Sequence, residues 1–350
     1  MRTHSAPAAP LRQPTDIANL EANLSTPPPG LVEMFQRLRG DIIIIGAAGK
    51  MGPTLTRMAK RAADAAGSTR RVIAAARFSD ASTAGAMQSH GIEIARGDLL
   101  DPSFIESLPD APLVVYAAGM KFGSTGNEPL TWATNTHLPT LICRRYARSR
   151  IVAFSTGNVY GVVPLSRLSV ETDAVNPVGE YAMSCLGRER MFQYFSQAHG
   201  VSVGLLRLNY ATELRYGVIV DLARKVWGEE PIDVTMGAAN VIWQTDANAI
   251  ALGLLDHTAS PAAFFNIAGP EVFRVRDVCA ALGELMGRKV RFLGTESSDA
   301  LLSRGDKAAS LVGGTSVALS TILEWTAEWV KRDGATLGKP THFEVRNGRF

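Results

Sequence analysis

The chain has 350 residues, of which 46% are hydrophobic and 20% charged, the proportions of a globular protein with one large or two closely joined domains. A formal net charge of only +3, evenly spread, argues against a nucleic-acid partner, and no apolar run has the length needed to span a bilayer. Three cysteines (Cys143, Cys185, Cys279) and six scattered histidines show no metal-type spacing. With an N-terminus that has no apolar signal core, this cysteine usage points to a reducing, cytoplasmic location without disulfides.

Residues 1 to about 15 are polar and proline-rich and are expected to lack structure. From Asp16 to Leu38 the pattern gives two short helices split by Pro27-Pro28-Pro29-Gly30. Thr15-Asp16 caps the first, and Leu31, Met34, Phe35 and Leu38 make an apolar stripe on the second, so the pair reads as a brace on the domain's flank.

The next stretch organises everything after it. Ile42-Ile43-Ile44-Ile45 cannot alternate between wet and dry faces, so it reads as a strand buried on both sides, as in a parallel sheet. Gly46, Gly49 and Gly52 follow at G-x-x-G-x-x-G spacing, and Pro53 suits the first turn of a helix running to about Ala66. A glycine turn between a buried strand and a helix N-terminus lets backbone approach a pyrophosphate, so the loop, with Lys50 and Met51, is expected to hold a dinucleotide.

Further strands are expected at Val72–Ala76, Ile92–Ala95, Leu113–Ala117, Ile151–Phe154 and Val201–Arg207, alternating with helices near 81–90, 102–107, 130–148 and 180–199. This alternation predicts an α/β fold, a Rossmann-type doubly wound parallel sheet with a smaller C-terminal substrate-binding region. Three parts are expected: an N-terminal extension over 1–40, a dinucleotide-binding domain over 41–208, and a mainly substrate-binding region over 209–350 with segments returning to the first domain. In that last region helices fit 217–228, 275–286 and 316–333. The second strand ends Ala76-Arg77-Phe78-Ser79, with no carboxylate before Asp80. An acidic residue there would grip the ribose 2′-hydroxyl of NAD, whereas Arg77 suits the 2′-phosphate of NADP. NADP is therefore the expected cofactor, with NAD as the alternative.

Five ordered segments between residues 41 and 270 resemble the extended short-chain dehydrogenase/reductases, the NAD-dependent epimerase/dehydratase family. They are the glycine loop, Gly97-Asp98-Leu99, Val115-Tyr116-Ala117-Ala118-Gly119-Met120-Lys121, Phe154-Ser155-Thr156-Gly157-Asn158-Val159-Tyr160-Gly161, and the segment from Tyr181 to Arg190. The resemblance implies that Asp98 and Leu99 contact adenine, that Ala117, Ala118, Gly119 and Lys121 line the cofactor, and that Asn135 is a structural asparagine beside it. It also implies that Ser155 and Thr156 face the substrate, with Thr156 orienting its oxygen, and that Tyr181 is the acid/base. Asn209 is a further substrate candidate. A homodimer through the helices near 130–148 and 180–199 is expected by the same analogy, with a small molecule as the only other partner.

The sequence departs from that family at one telling place. The family's Tyr is followed four residues later, one helical turn on, by a Lys that stabilises the phenolate; here position 185 is Cys. Lowering a tyrosine from about 10 to about 7 corresponds to roughly 4 kcal/mol of stabilisation that Cys185 does not supply. Either Lys121 leans in to replace the charge, or Tyr181 works as a neutral acid, or redox turnover has been lost; Cys185 itself is a candidate for a functional role. Gly157-Asn158 lacks the acidic pair of the sugar dehydratases, and Ala239 stands where nucleotide-sugar enzymes carry an Arg, with Arg215, Arg224 or Arg274 as possible substitutes. The activity expected is an NAD(P)-dependent oxidoreductase acting on a small carbonyl/hydroxy compound such as a sugar acid or aldehyde. An epimerase that retains its cofactor and a non-catalytic NAD(P)-binding regulator stay open as alternatives.

Overall fold

The computed structural model describes residues 12–121 and 123–348. Seven strands form one parallel sheet: β1 (Ile42–Ile45), β2 (Val72–Ala76), β3 (Glu93–Arg96), β4 (Leu113–Tyr116), β5 (Arg150–Thr156), β6 (Ser202–Leu208) and β7 (Ala263–Ile267). Their spatial order is β7-β6-β5-β4-β1-β2-β3. The order in which strands are added reverses between β1 and β4, a parallel pair that registers Ile42 with Leu113 and Ile45 with Tyr116. That reversal opens a crevice at the carboxyl ends of the two strands, where a doubly wound sheet binds its ligand.

All four β1 isoleucines are fully buried, as the unalternating run requires. Ile42 and Ile44 pack into one apolar layer, Ile43 and Ile45 into the other. A third core lies in the C-terminal half, around Leu222, Trp243, Leu282 and Trp325.

The strand over 263–267 was not expected from sequence. It extends the sheet beyond β6, so the chain returns to the sheet after the helix Gln244–Gly253 has packed on its face. Of the expected disordered stretch, residues 1–11 lie outside the described residues. Residues 12–15 are not loose: Pro14 is buried, its carbonyl accepts from Arg332 at 2.6 Å, and the Arg12 carbonyl accepts from Asn23 at 3.2 Å.

The two N-terminal helices are α1 (Ile17–Leu24) and α2 (Pro29–Arg37). Asp16 caps α1 by accepting from the Asn19 amide at 2.7 Å. Both pack against α3 (Gly52–Ala65), and buried hydrogen bonds fix them in place, Trp243 to Asn23 at 3.2 Å and Arg70 to the Phe35 carbonyl at 2.7 Å. Among the described residues no helix is long and apolar enough to cross a membrane.

Candidate active site

The glycine loop closes directly on the strand beside it. Gly46 has φ +86°, and a Cβ there would come within 2.6 Å of the Ala118 backbone. At Gly52 a Cβ would meet the Ala47 carbonyl oxygen at 2.1 Å, so α3 starts against the loop itself. No side chain caps the start of α3, the arrangement that leaves a helix N-terminus to an anion. Above this floor lies a cavity of about 550 Å3 lined by Gly46, Gly49, Arg77, Asp98, Leu99, Ala117, Ala118 and Gly119. A second cavity of about 210 Å3 continues from it past Lys50, Met51, Gly52, Lys121 and Ser155 to Tyr181. The two form a trough across the end of the sheet whose close backbone floor fits an extended dinucleotide.

Arg77 is exposed at the rim of the larger cavity. Asp80 lines the same cavity but is occupied as the cap of α4 (Ala81–Gln88), accepting from Ser82 N at 2.9 Å and from the Ser82 and Thr83 hydroxyls. Those hydrogen bonds hold its pKa down to about 2. Asn135 does not line the cavities. It is fully buried on a π-helical turn, Ala133–His137, where its side chain bonds both the amide and the carbonyl of Met120 at 2.9 and 3.0 Å. It acts on the cofactor trough by fixing the loop over 119–121.

Tyr181 enters from the helix Gly179–His199. Its hydroxyl is hydrogen-bonded to Thr156 at the end of β5 and to Cys185 one turn on. Its enclosed position, and then Cys185, push its pKa above the ordinary tyrosine value; Arg188 opposes this but does not win. Burial likewise raises the Cys185 thiol, which packs among Val159 and Tyr160 as a neutral group rather than a nucleophile.

Arg188 was absent from the sequence expectations. Tyr181, Cys185 and Arg188 are spaced i, i+4, i+7, so they share one face of the helix. The Arg188 guanidinium is buried and donates to the Phe154 carbonyl at 2.9 Å and to Asn135 Oδ1 at 2.5 Å. A Cβ at Gly119 would lie 2.5 Å from it, which explains the glycine there. The i+7 spacing from Tyr181 is the signal of this in the sequence.

Lys121 does lean over Tyr181, with Nζ 6.0 Å from the ring centroid, and also donates to the Thr341 carbonyl at 3.2 Å. Burial lowers its pKa to about 8. Lys50, expected among the cofactor contacts, lines the smaller cavity of the trough. Nζ donates to the Ala211 carbonyl at 3.2 Å and lies 4.2 Å from the Tyr216 ring centroid. Burial lowers its pKa to about 7, with Glu213 opposing the fall and Arg215 and Lys121 adding to it.

Beyond Tyr181 a cavity of about 160 Å3 is lined by Lys50, Lys121, Thr156, Asn158, Asn209, Tyr210 and Tyr216 among others. Ser155 borders it, but its hydroxyl is committed to Glu189 at 2.6 Å, and Glu189 in turn takes a bidentate pair from Arg207 at 3.0 and 2.9 Å. This buried pair ties β5, β6 and the tyrosine-bearing helix together, making Ser155 a positioning residue. None of the proposed substitutes for the arginine missing at position 239 lines this cavity. Arg215 pairs with Glu213 and Glu21, Arg274 pairs with Glu296 at the surface, and Arg224 is exposed. Among the described residues no group of three potential ligands could hold a metal ion.

Sheet order and glycine trough define a Rossmann-type α/β fold, with a tyrosine set against the end of β5. Residues 42–212 match the sequence model of the NAD dependent epimerase/dehydratase family. A search of curated proteins gives no match. Among solved structures the fold is shared with a dTDP-glucose 4,6-dehydratase from Bacillus anthracis in complex with NAD, at 14% identity and TM-score 0.70 over 84% of this chain and 97% of that one. It is also shared with a UDP-glucuronic acid 4-epimerase from Bacillus cereus in complex with UDP-glucuronic acid and NAD, at 19% identity and TM-score 0.68 over 83% and 99%. A UDP-glucose 4-epimerase with UDP-glucose from Thermotoga maritima gives 16% identity and TM-score 0.67 over 84% and 99%.

Proposed function

We propose that this chain is an NAD(P)-dependent oxidoreductase that interconverts a small carbonyl compound and its alcohol, with Tyr181 as the proton-transferring group and Thr156 orienting the substrate oxygen. The observation that carries the reading is the Tyr181–Thr156 hydrogen bond at the meeting point of the dinucleotide trough and the small cavity. When bound, the nicotinamide supplies or accepts the hydride. In reduction the carbonyl π pair moves to oxygen, and Tyr181 gives that oxygen its phenolic proton. Because the site holds Tyr181 protonated, it enters this step as a neutral acid. Arg188 and Lys121 are the cations placed to stabilise the phenolate that remains. Glu189, through Ser155, keeps β5 and Thr156 in register.

Arg77 supports NADP over NAD, although two of the structural relatives named above are in complex with NAD. The absence of an arginine in the small cavity supports a substrate smaller than a nucleotide sugar. Leu130, Trp132, Met183 and Tyr194 are exposed apolar groups on the helices through which a homodimer is proposed to form. A screen of small sugars, sugar acids and aldehydes, followed at the NADPH absorbance, tests the reading. Tyr181→Phe should then lower kcat by roughly 100-fold or more. Unchanged turnover in that variant would remove Tyr181 from the chemistry.

A further inference from the structure

We infer that the small cavity beside Tyr181 takes a substrate bearing a carboxylate, and that the Lys50 ammonium is the group that grips it. This deepens the proposed oxidoreductase reading and rests on it.

Two ammonium groups, Lys50 and Lys121, line that cavity, and no Asp or Glu does. Lys50 forms no ion pair with any described residue. Its two contacts, the Ala211 carbonyl and the Tyr216 ring, aim the ammonium without neutralising it. The nearby carboxylate, Glu213, is already committed to Arg215 at 3.2 Å, and Arg215 also pairs with Glu21 at 3.2 Å. Enclosing an uncompensated cation is costly, and here the cost falls where a ligand must arrive. The remaining charged groups do not relieve it. Asp221, near Lys121, is engaged by the Thr341 amide and hydroxyl at 2.7 and 2.6 Å. On its other side Lys50 borders a cleft whose charged lining is Arg57, Arg215, His90 and Lys339 against Glu21.

Size narrows the class. About 160 Å3 is below the roughly 300–1,000 Å3 of sites for drug-sized ligands, so the fit is to a monosaccharide-sized hydroxy acid rather than to a nucleotide. Asn158, Asn209 and Thr156 supply the polar partners its hydroxyls need.

The arrangement has a thermodynamic signature. Burial has lowered Lys50 to about 7. A carboxylate set against it favours the charged form, so ligand binding above neutrality must draw a proton from solvent.

Isothermal titration of the NADP-loaded protein at pH 8, in two buffers of different ionisation enthalpy, reads affinity and proton uptake together. The probes are glucuronate, galacturonate and gluconate, with glucose, galactose and sorbitol as neutral counterparts and glucose 6-phosphate as the phosphate arm. The sugar acids should bind roughly 10- to 100-fold more tightly than their neutral counterparts and the phosphate ester, with net proton uptake. Lys50→Met should erase that preference. Lys50→Arg should keep much of it but lose the uptake, since a guanidinium stays charged at this pH, so the proposal remains testable even if the Met variant folds poorly. Neutral sugars binding as tightly as acids, tighter binding of the phosphate, or unchanged uptake in either variant would each overturn the inference. Loss of NADP binding or of hydride transfer would instead overturn the parent reading. Turnover of neutral alcohols with no acid preference would spare that reading and sink only the carboxylate.

Discussion

Cys185 shares a hydrogen bond with the hydroxyl of Tyr181 one helical turn before it, and Arg188 stands on the same face of the helix beyond both. Position 185, one turn after Tyr181, thus holds a neutral thiol, and a cation, Arg188, stands on the second turn. A lysine introduced at 185 would enter a fully buried position next to the Arg188 guanidinium. The nearest acid, Glu189, is already held by Arg207. Cys185→Lys is therefore expected to destabilise the fold by on the order of 3 kcal/mol and to leave turnover no higher, whereas Cys185→Ser should keep kcat within roughly threefold. Thermal melts and steady-state rates decide it. A lysine variant that melts normally and turns over ten times faster would mean that the site merely lacks its helper charge.

Much of this was legible in the chain. The Ile42–Ile45 run, the three glycines and the strand–helix alternation each report a local constraint, buried faces or a close backbone approach, that survives in any fold built on them. β7 was missed because Ala263-Phe264-Phe265-Asn266-Ile267 is short and its apolar run carries no alternation. Lys50 lines the trough, while its ammonium reaches Ala211 and Tyr216: position along a glycine turn does not say which side of the loop a side chain leaves from. Arg188 has helical spacing from Tyr181, but its place beside the site comes from its contacts with Phe154 and Asn135. Side-chain destinations such as these depend on the partners that tertiary packing brings up, here Ala211, Tyr216, Phe154 and Asn135.

Cofactor choice turns on one rim residue. Arg77 is exposed, makes no ion pair among the described residues, and borders the cavity that would hold the adenosine ribose. Asp80, the acid that could favour a free 2′-hydroxyl, is spent on the cap of α4. Arg77→Ala should weaken NADP binding by roughly 10- to 100-fold, the loss of a bidentate charge-assisted contact, and change NAD by no more than about threefold. Fluorescence titration with both nucleotides checks this, and equal effects on the two would take Arg77 out of the site.

The floor of the trough allows no side chain at Gly46. Its φ of +86° is disfavoured for an L-residue, and a Cβ would sit 2.6 Å from the Ala118 backbone, which cannot step aside as a flexible side chain would. Gly46→Ala should cost roughly 2–4 kcal/mol, strain and overlap together, and abolish nucleotide binding by parting the loop from β4. Calorimetry with and without NADP separates the two effects. A variant that melts as the parent does and still binds would show that the contact is not needed.

The two half-buried lysines make stability depend on pH in a defined direction. Lys50 falls from 10.5 to about 7 and Lys121 from 10.5 to about 8 on folding, burial being the main cause. Below pH 7 both states carry both protons, and the full penalty of enclosing the charges is present. Between about 7 and 10.5 the unfolded chain still holds protons that the folded chain has released. The unfolding free energy therefore rises with pH through this window. The Lys50 shift alone sets an upper bound of roughly 5 kcal/mol, and its partial exposure to solvent reduces that to on the order of 1–3 kcal/mol. Lys50→Met removes this group from the balance, so it should be more stable than the parent at pH 6 and should show a shallower rise toward pH 9. Urea unfolding of the ligand-free protein at pH 6, 7.5 and 9 reads both quantities. A methionine variant less stable than the parent at pH 6, or parallel slopes in the two proteins, would mean that the Lys50 charge is not penalised by the fold.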